Sequence, residues 1–111
     1  MQFQELMTRA ATIRTQYAAL EKQRYGRAWT EEEIMLGFLG DVGDLAKLVQ
    51  AKAGVRAIPD LETKLAHELA DCLWSVFVLA HHYQVNLEQA FLQTMDEIEQ
   101  SIKRHEAEID Q

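Results

Sequence analysis

The chain has 111 residues, 48% hydrophobic and 26% charged, the balance of a single ordinary globular domain spanning residues 1–111. One Pro and five Gly are too few breakers for a turn-rich β-sandwich or a disordered chain, and a formal charge of −7 removes the basic face that a nucleic-acid polymer requires. The most apolar run, Leu69 to Ala80, is too short to span a bilayer and reads as a buried core helix. No segment has the basic-then-apolar pattern of a signal peptide, and Cys72, the single cysteine, cannot form an internal disulfide; both fit a cytoplasmic protein.

The elements follow from the breakers. A first helix is predicted from about Phe3 to Arg24, with Phe3, Leu6, Ala10, Ile13, Tyr17 and Leu20 on one stripe and Gly26 as its left-handed cap. A second opens at Thr30, where Thr30 and Glu33 form a capping box, and stops at Gly54. A loop holding Pro59 leads to Asp60, which is expected to cap a third helix running to about Tyr83. Asn86, with Gln89 three residues on, caps a fourth helix that carries Leu87, Phe91, Met95, Ile98 and Ile102 on one face. The pattern is all-α, a four-helix bundle with short connections. A core of this size is modest, and association of copies would enlarge it.

Four acids stand out. Asp41 and Asp44 on the second helix, and Glu68 and Asp71 on the third, each have i, i+3 spacing, which sets both side chains on one face. At about 100° per residue, Asp41 falls inside an apolar arc between Ile34 and Leu48, and Asp44 lies at its edge. Glu68 falls among Leu61, Leu79 and Ser75, and Asp71 sits beside Val78. Such a pair is usually a solvated face, but two pairs beside apolar stripes point to a site. Ionised carboxylates facing one another away from water must shift pKa, pair with cations or bind a metal. Hard oxygen ligands select Mg²⁺, Mn²⁺ or Ca²⁺ over zinc.

These residues resemble a known family. Gly40-Asp41-Val42-Gly43-Asp44-Leu45-Ala46 is similar to the G-E-x-G-E-L-A segment of MazG-like nucleoside triphosphate pyrophosphohydrolases, and Glu68-Leu69-Ala70-Asp71-Cys72-Leu73-Trp74 to their E-L-A-D-x-L-W segment. Val85-Asn86-Leu87-Glu88-Gln89-Ala90 matches the start of their last helix. The resemblance implies a MazG-like bundle completed by oligomerisation, as a homodimer or homotetramer. It implies that Asp41, Asp44, Glu68 and Asp71 ligate Mg²⁺, with Asp41 also orienting or deprotonating the attacking water. The implied reaction cleaves a (deoxy)nucleoside triphosphate between the α and β phosphates, giving a monophosphate and pyrophosphate, with house-cleaning of the nucleotide pool as an implied role. The related phosphoribosyl-ATP pyrophosphohydrolase reaction shares the acid architecture.

Two features depart from the family pattern. Asp41 and Asp44 stand where relatives carry Glu; one methylene less displaces a ligand by about an ångström, enough to slow a reaction on the order of 100-fold. Thr94 and Ile98 stand where many relatives carry Lys and Asn against phosphate. Both departures leave room for a catalytically lapsed helical oligomer that binds a nucleotide or a protein. Trp29 is a candidate for stacking on the base, though a staple or core aromatic explains it equally. Lys47, Lys64, Asn86, Lys103 and Arg104 are further candidates for substrate binding, while Lys47 and Lys64 also suit intrahelical ion pairs. Trp74 and Phe77 read as core or interface, Cys72 as a small apolar residue, and His81 and His82 as helix-end cations. The stretch from His67 to Asp71 lacks the second His of a zinc HExxH motif.

Overall fold

Left-handed residues and side-chain caps divide the chain into four helices. In the computed structural model, which describes residues 2–110, these are α1 (Phe3–Tyr25), α2 (Glu31–Lys52), α3 (Leu61–His82) and α4 (Leu87–Ile109). Gly26 closes α1 at φ 83°, donating its N–H to the Lys22 carbonyl. The capping box at α2 is complete: the Glu33 N–H donates to Thr30 Oγ1 at 3.3 Å, and the Thr30 N–H donates to Glu33 Oε1 at 3.0 Å. Arg27 donates to the same carboxylate, and with these bonds it holds Glu33 at a pKa of about 2. Asn86 accepts from the Gln89 N–H, as its spacing predicts.

Asp60 departs from expectation. It occupies the N-cap position of α3 but sits at φ 54°, ψ 39°, and its side chain makes no capping bond. A capping side chain needs extended backbone to fold over the first free N–H groups, and the left-handed conformation removes that reach. Gln84, also left-handed at φ 55°, turns the chain between α3 and α4.

The core is built on α3, which packs against α2 along much of its length and against α1 on a second face. Phe3 meets Phe77 edge-on with centroids 5.3 Å apart, and Tyr17 tilts against Trp74 at 5.8 Å. The Trp74 indole N–H donates to the Ala10 carbonyl at 3.2 Å. Trp74 and Phe77 therefore belong to the packed interior. At the other end, His82 Nε2 lies 3.3 Å from Glu31 Oε1, tying the end of α3 to the start of α2.

The apolar run of α3 is covered on one side only. Ser75, Phe77, Val78 and Ala80 are buried, whereas Leu69 and Leu73 remain about half exposed, because the opposite face of α3 has no neighbour within the chain. The same holds for α4, which has no buried residue. Its stripe residues Phe91, Met95, Ile98 and Ile102 are 40–56% exposed. The radius of gyration is 18.3 Å, where a closed domain of this length has about 13 Å. Among the described residues, no helix is long and apolar enough to cross a membrane.

Candidate active site

The antiparallel faces of α2 and α3 bring three of the four predicted acids together. Asp41, Asp44 and Glu68 each offer a carboxylate oxygen, and these atoms lie within 4.8 Å of one another. Asp41 and Glu68 are half-buried, while Asp44 is exposed, as its place at the edge of the apolar arc predicts. Among the described residues, no Lys, Arg or His forms an ion pair with any of the three.

Glu68 shows the strain of this arrangement. Its Oε1 is sealed from solvent and has no hydrogen-bond partner. Burial pushes its carboxyl pKa up, and the close carboxylate of Asp41 pushes it further, followed by the charges of Asp71 and Asp44. A buried acceptor without a donor is destabilising unless something external completes it. The donor set is all hard oxygen, with an oxygen aimed inward, and it suits a divalent cation.

Asp71 stands apart from this cluster. Its Oδ2 lies 3.2 Å from His67 Nε2 one turn back on the same helix. It contributes charge to Glu68 but not an atom to the group of three. Cys72 is half-buried next to the acids; burial and then the charges of Asp41, Glu68 and Asp71 hold its thiol protonated, which is unfavourable for a nucleophile.

Two hollows flank the acids. One, of about 230 Å³, is lined by Tyr17, Trp29, Phe38, Trp74 and Ser75, with Asp41 at its border. The other, of about 420 Å³, is lined by Lys47, Lys64, Asp44, Glu68 and Ile58 among others. Trp29 thus lines the hollow that reaches Asp41, and Lys47 and Lys64 line the groove that reaches Asp44 and Glu68. Neither lysine is engaged in an ion pair among the described residues.

Other candidates are not gathered there. Asn86 caps α4 and lines a separate groove beside Phe3 and His81. Lys103 pairs with Glu99 at 3.4 Å, and Arg104 is exposed on the same helix. Within one chain α4 makes no extensive packing contact with the helices that carry the acids.

A further set of residues was hidden from the sequence. The Arg14 guanidinium donates to both oxygens of Glu21, at 2.8 and 2.9 Å. Glu21 also accepts the Trp29 N–H at 2.8 Å, and Arg14 donates to the Trp29 carbonyl at 3.3 Å. The Arg14 bond holds the Glu21 carboxyl below its usual pKa, against the opposing effect of burial. The i, i+7 spacing of Arg14 and Glu21 is a two-turn helical repeat, the one signal that could have suggested the pair.

One comparison decides the lineage. The family described as the MazG nucleotide pyrophosphohydrolase domain matches residues 29–107. The chain belongs to this family. The MazG match spans α2, α3 and most of α4, and leaves α1 outside it. The expected all-α MazG-like architecture is therefore borne out, as is membership of a family of nucleotide pyrophosphohydrolases. No curated protein and no solved structure matches the chain.

Proposed function

We propose that this MazG domain is a Mg²⁺-dependent nucleoside triphosphate pyrophosphohydrolase that cleaves between the α and β phosphates. The observation that carries the reading is the convergence of Asp41, Asp44 and Glu68, of which Glu68 keeps a buried oxygen without a donor. Those three would hold the ion, with Mn²⁺ as a substitute, and Asp71 would enter as a fourth acid from its position beside Glu68. The bound ion would neutralise triphosphate charge and lower the pKa of nearby water.

The protein groups then divide the work. Asp41 lies between the acid cluster and the aromatic hollow, the position from which a carboxylate can orient a water toward the α phosphorus and accept its proton. Lys47 and Lys64 line the opposite groove and would carry the departing pyrophosphate charge. Trp29 and Trp74 wall the hollow that would take the base. No covalent nucleophile is required for an in-line displacement by water.

Pyrophosphate release, measured over a panel of ribo- and deoxyribonucleoside triphosphates with Mg²⁺ or Mn²⁺, is expected for at least one substrate. Absence of release across the panel, together with no cation-dependent rise in thermal stability, overturns the reading. A second reading is favoured by Thr94 and Ile98, uncharged where relatives carry phosphate contacts: a lapsed enzyme that binds nucleotide without turnover. Nucleotide-dependent stabilisation without pyrophosphate release would select it.

The uncovered α4 stripe belongs to the same proposal. We read it as the surface against which a second copy of the chain packs. An apolar stripe reaching from Phe91 to Ile102, on a helix with no buried residue, needs a partner of matching length and character. Sedimentation should find a dimer or tetramer, and Ile98→Asp should yield monomer; a wild-type monomer at micromolar concentration refutes this part.

A further inference from the structure

The one helix outside the family match supplies the residues that hold Trp29. Both backbone polar groups of Trp29 are engaged by the Arg14–Glu21 pair: its N–H by Glu21, its carbonyl by Arg14. Trp29 directly precedes Thr30, the cap residue of α2, so its backbone is pinned from the α1 side and from the α2 side. The pair is itself largely shielded, with Glu21 only 8% exposed. A buried ion pair generally adds little stability compared with well-packed apolar residues, but it fixes geometry through bonds of definite direction. Here those bonds converge on a single residue, which lines the aromatic hollow together with Tyr17, Trp74 and the ion pair itself.

The hollow's volume limits what it can hold. Sites that enclose a whole drug-sized ligand run to about 300–1,000 Å³. At about 230 Å³, this one suits a flat ring system alone, with the charged remainder of the ligand passing Asp41 toward the lysine groove.

We propose that Arg14 and Glu21 are positioning residues which act through Trp29 to preform a slot for the heterocycle of the nucleotide. This makes α1 the specificity element of the domain. The inference rests on the reading of the site as a nucleotide site, and it does not depend on whether the phosphates are cleaved.

The test is a binding cycle on the full chain. Equilibrium dialysis against the common nucleosides, their triphosphates and inorganic triphosphate measures the slot and the phosphate groove separately. Wild type should bind at least one nucleoside or nucleoside triphosphate. Trp29→Ala and Glu21→Gln should each weaken that binding by about tenfold, and the double variant should lose no more than about threefold beyond either single, because the two residues act as one unit. Inorganic triphosphate, which has no ring, should bind all variants alike. If Glu21→Gln loses helical circular dichroism, Arg14→Lys takes its place in the same cycle.

The proposal is overturned if the losses multiply, if the folded pair variant binds as wild type, if inorganic triphosphate binding falls in parallel, or if wild type binds no nucleoside or nucleoside triphosphate. Coupled nucleotide binding without any pyrophosphate release supports the slot while refuting the hydrolase.

Discussion

Glu21 and Glu68 are both carboxylates withdrawn from water on helices that pack together, yet their surroundings drive them in opposite directions. Glu21 accepts two bonds from Arg14 and one from the Trp29 backbone, and its pKa falls. Glu68 meets other acids, keeps one oxygen without any donor, and its pKa rises. The first charge is completed by the fold and serves geometry. The second is left incomplete by the fold, which is what a binding site for an external cation requires.

The contrast can be broken at its most demanding point by Glu68→Gln. Loss of the negative charge and of one carboxylate oxygen should lower pyrophosphate release by more than about 100-fold, more than is usual for removing a metal's supporting partners. The same change should raise the thermal midpoint of the metal-free protein at neutral pH. The sign follows from the raised pKa: the stability linked to protonated Glu68 is present below its unfolded value of 4.5 and is lost as pH rises through the folded value. Gln removes that loss. A lower midpoint for the metal-free variant would mean that Glu68 is a structural residue.

Glu21→Leu probes the other side. It strands Arg14 without its partner and should destabilise the domain by about 3 kcal/mol in urea unfolding, while Arg14→Met combined with Glu21→Leu should recover most of that. Recovery of stability without recovery of nucleotide binding would separate packing from positioning. The lowered pKa of Glu21 has the opposite linkage, with stability present above the unfolded value and lost as pH falls through the folded one.

Cation addition sharpens the comparison further. Mg²⁺ or Mn²⁺ at a hundredfold excess over Kd should stabilise wild type by about 2.7 kcal/mol and leave Glu68→Gln unchanged. The smallest effect is expected at the cap that precedes the acids: Thr30→Ala should cost about 1 kcal/mol with the cation response intact.

Much of this was legible in the order of residues. The helix limits follow from Gly26, Thr30, Gly54 and Asn86, because capping chemistry is local. Asp41 and Glu68 were legible as misplaced charges, because a helical wheel needs no tertiary information. The spacing of Asp71 puts it on the same face as Glu68, but it does not tell that its carboxylate lies beside His67 and outside the group of three. The left-handed Asp60 was missed because the residue type that caps helices also tolerates that conformation. The Arg14–Glu21 clamp was invisible because its purpose lies in the backbone of Trp29, eight residues beyond Glu21. The bare α4 face shows the general limit: periodicity reports that a side is apolar, not what lies against it.

One helix, α3, reaches both halves of the site, with Glu68 facing the acids and Trp74 and Ser75 facing the aromatic hollow less than two turns later. An ion held at Glu68 and a ring held beside Trp74 would therefore bear on one continuous helix. Thermodynamic reciprocity then applies: whatever factor the ion adds to affinity for the heterocycle, the heterocycle adds to affinity for the ion.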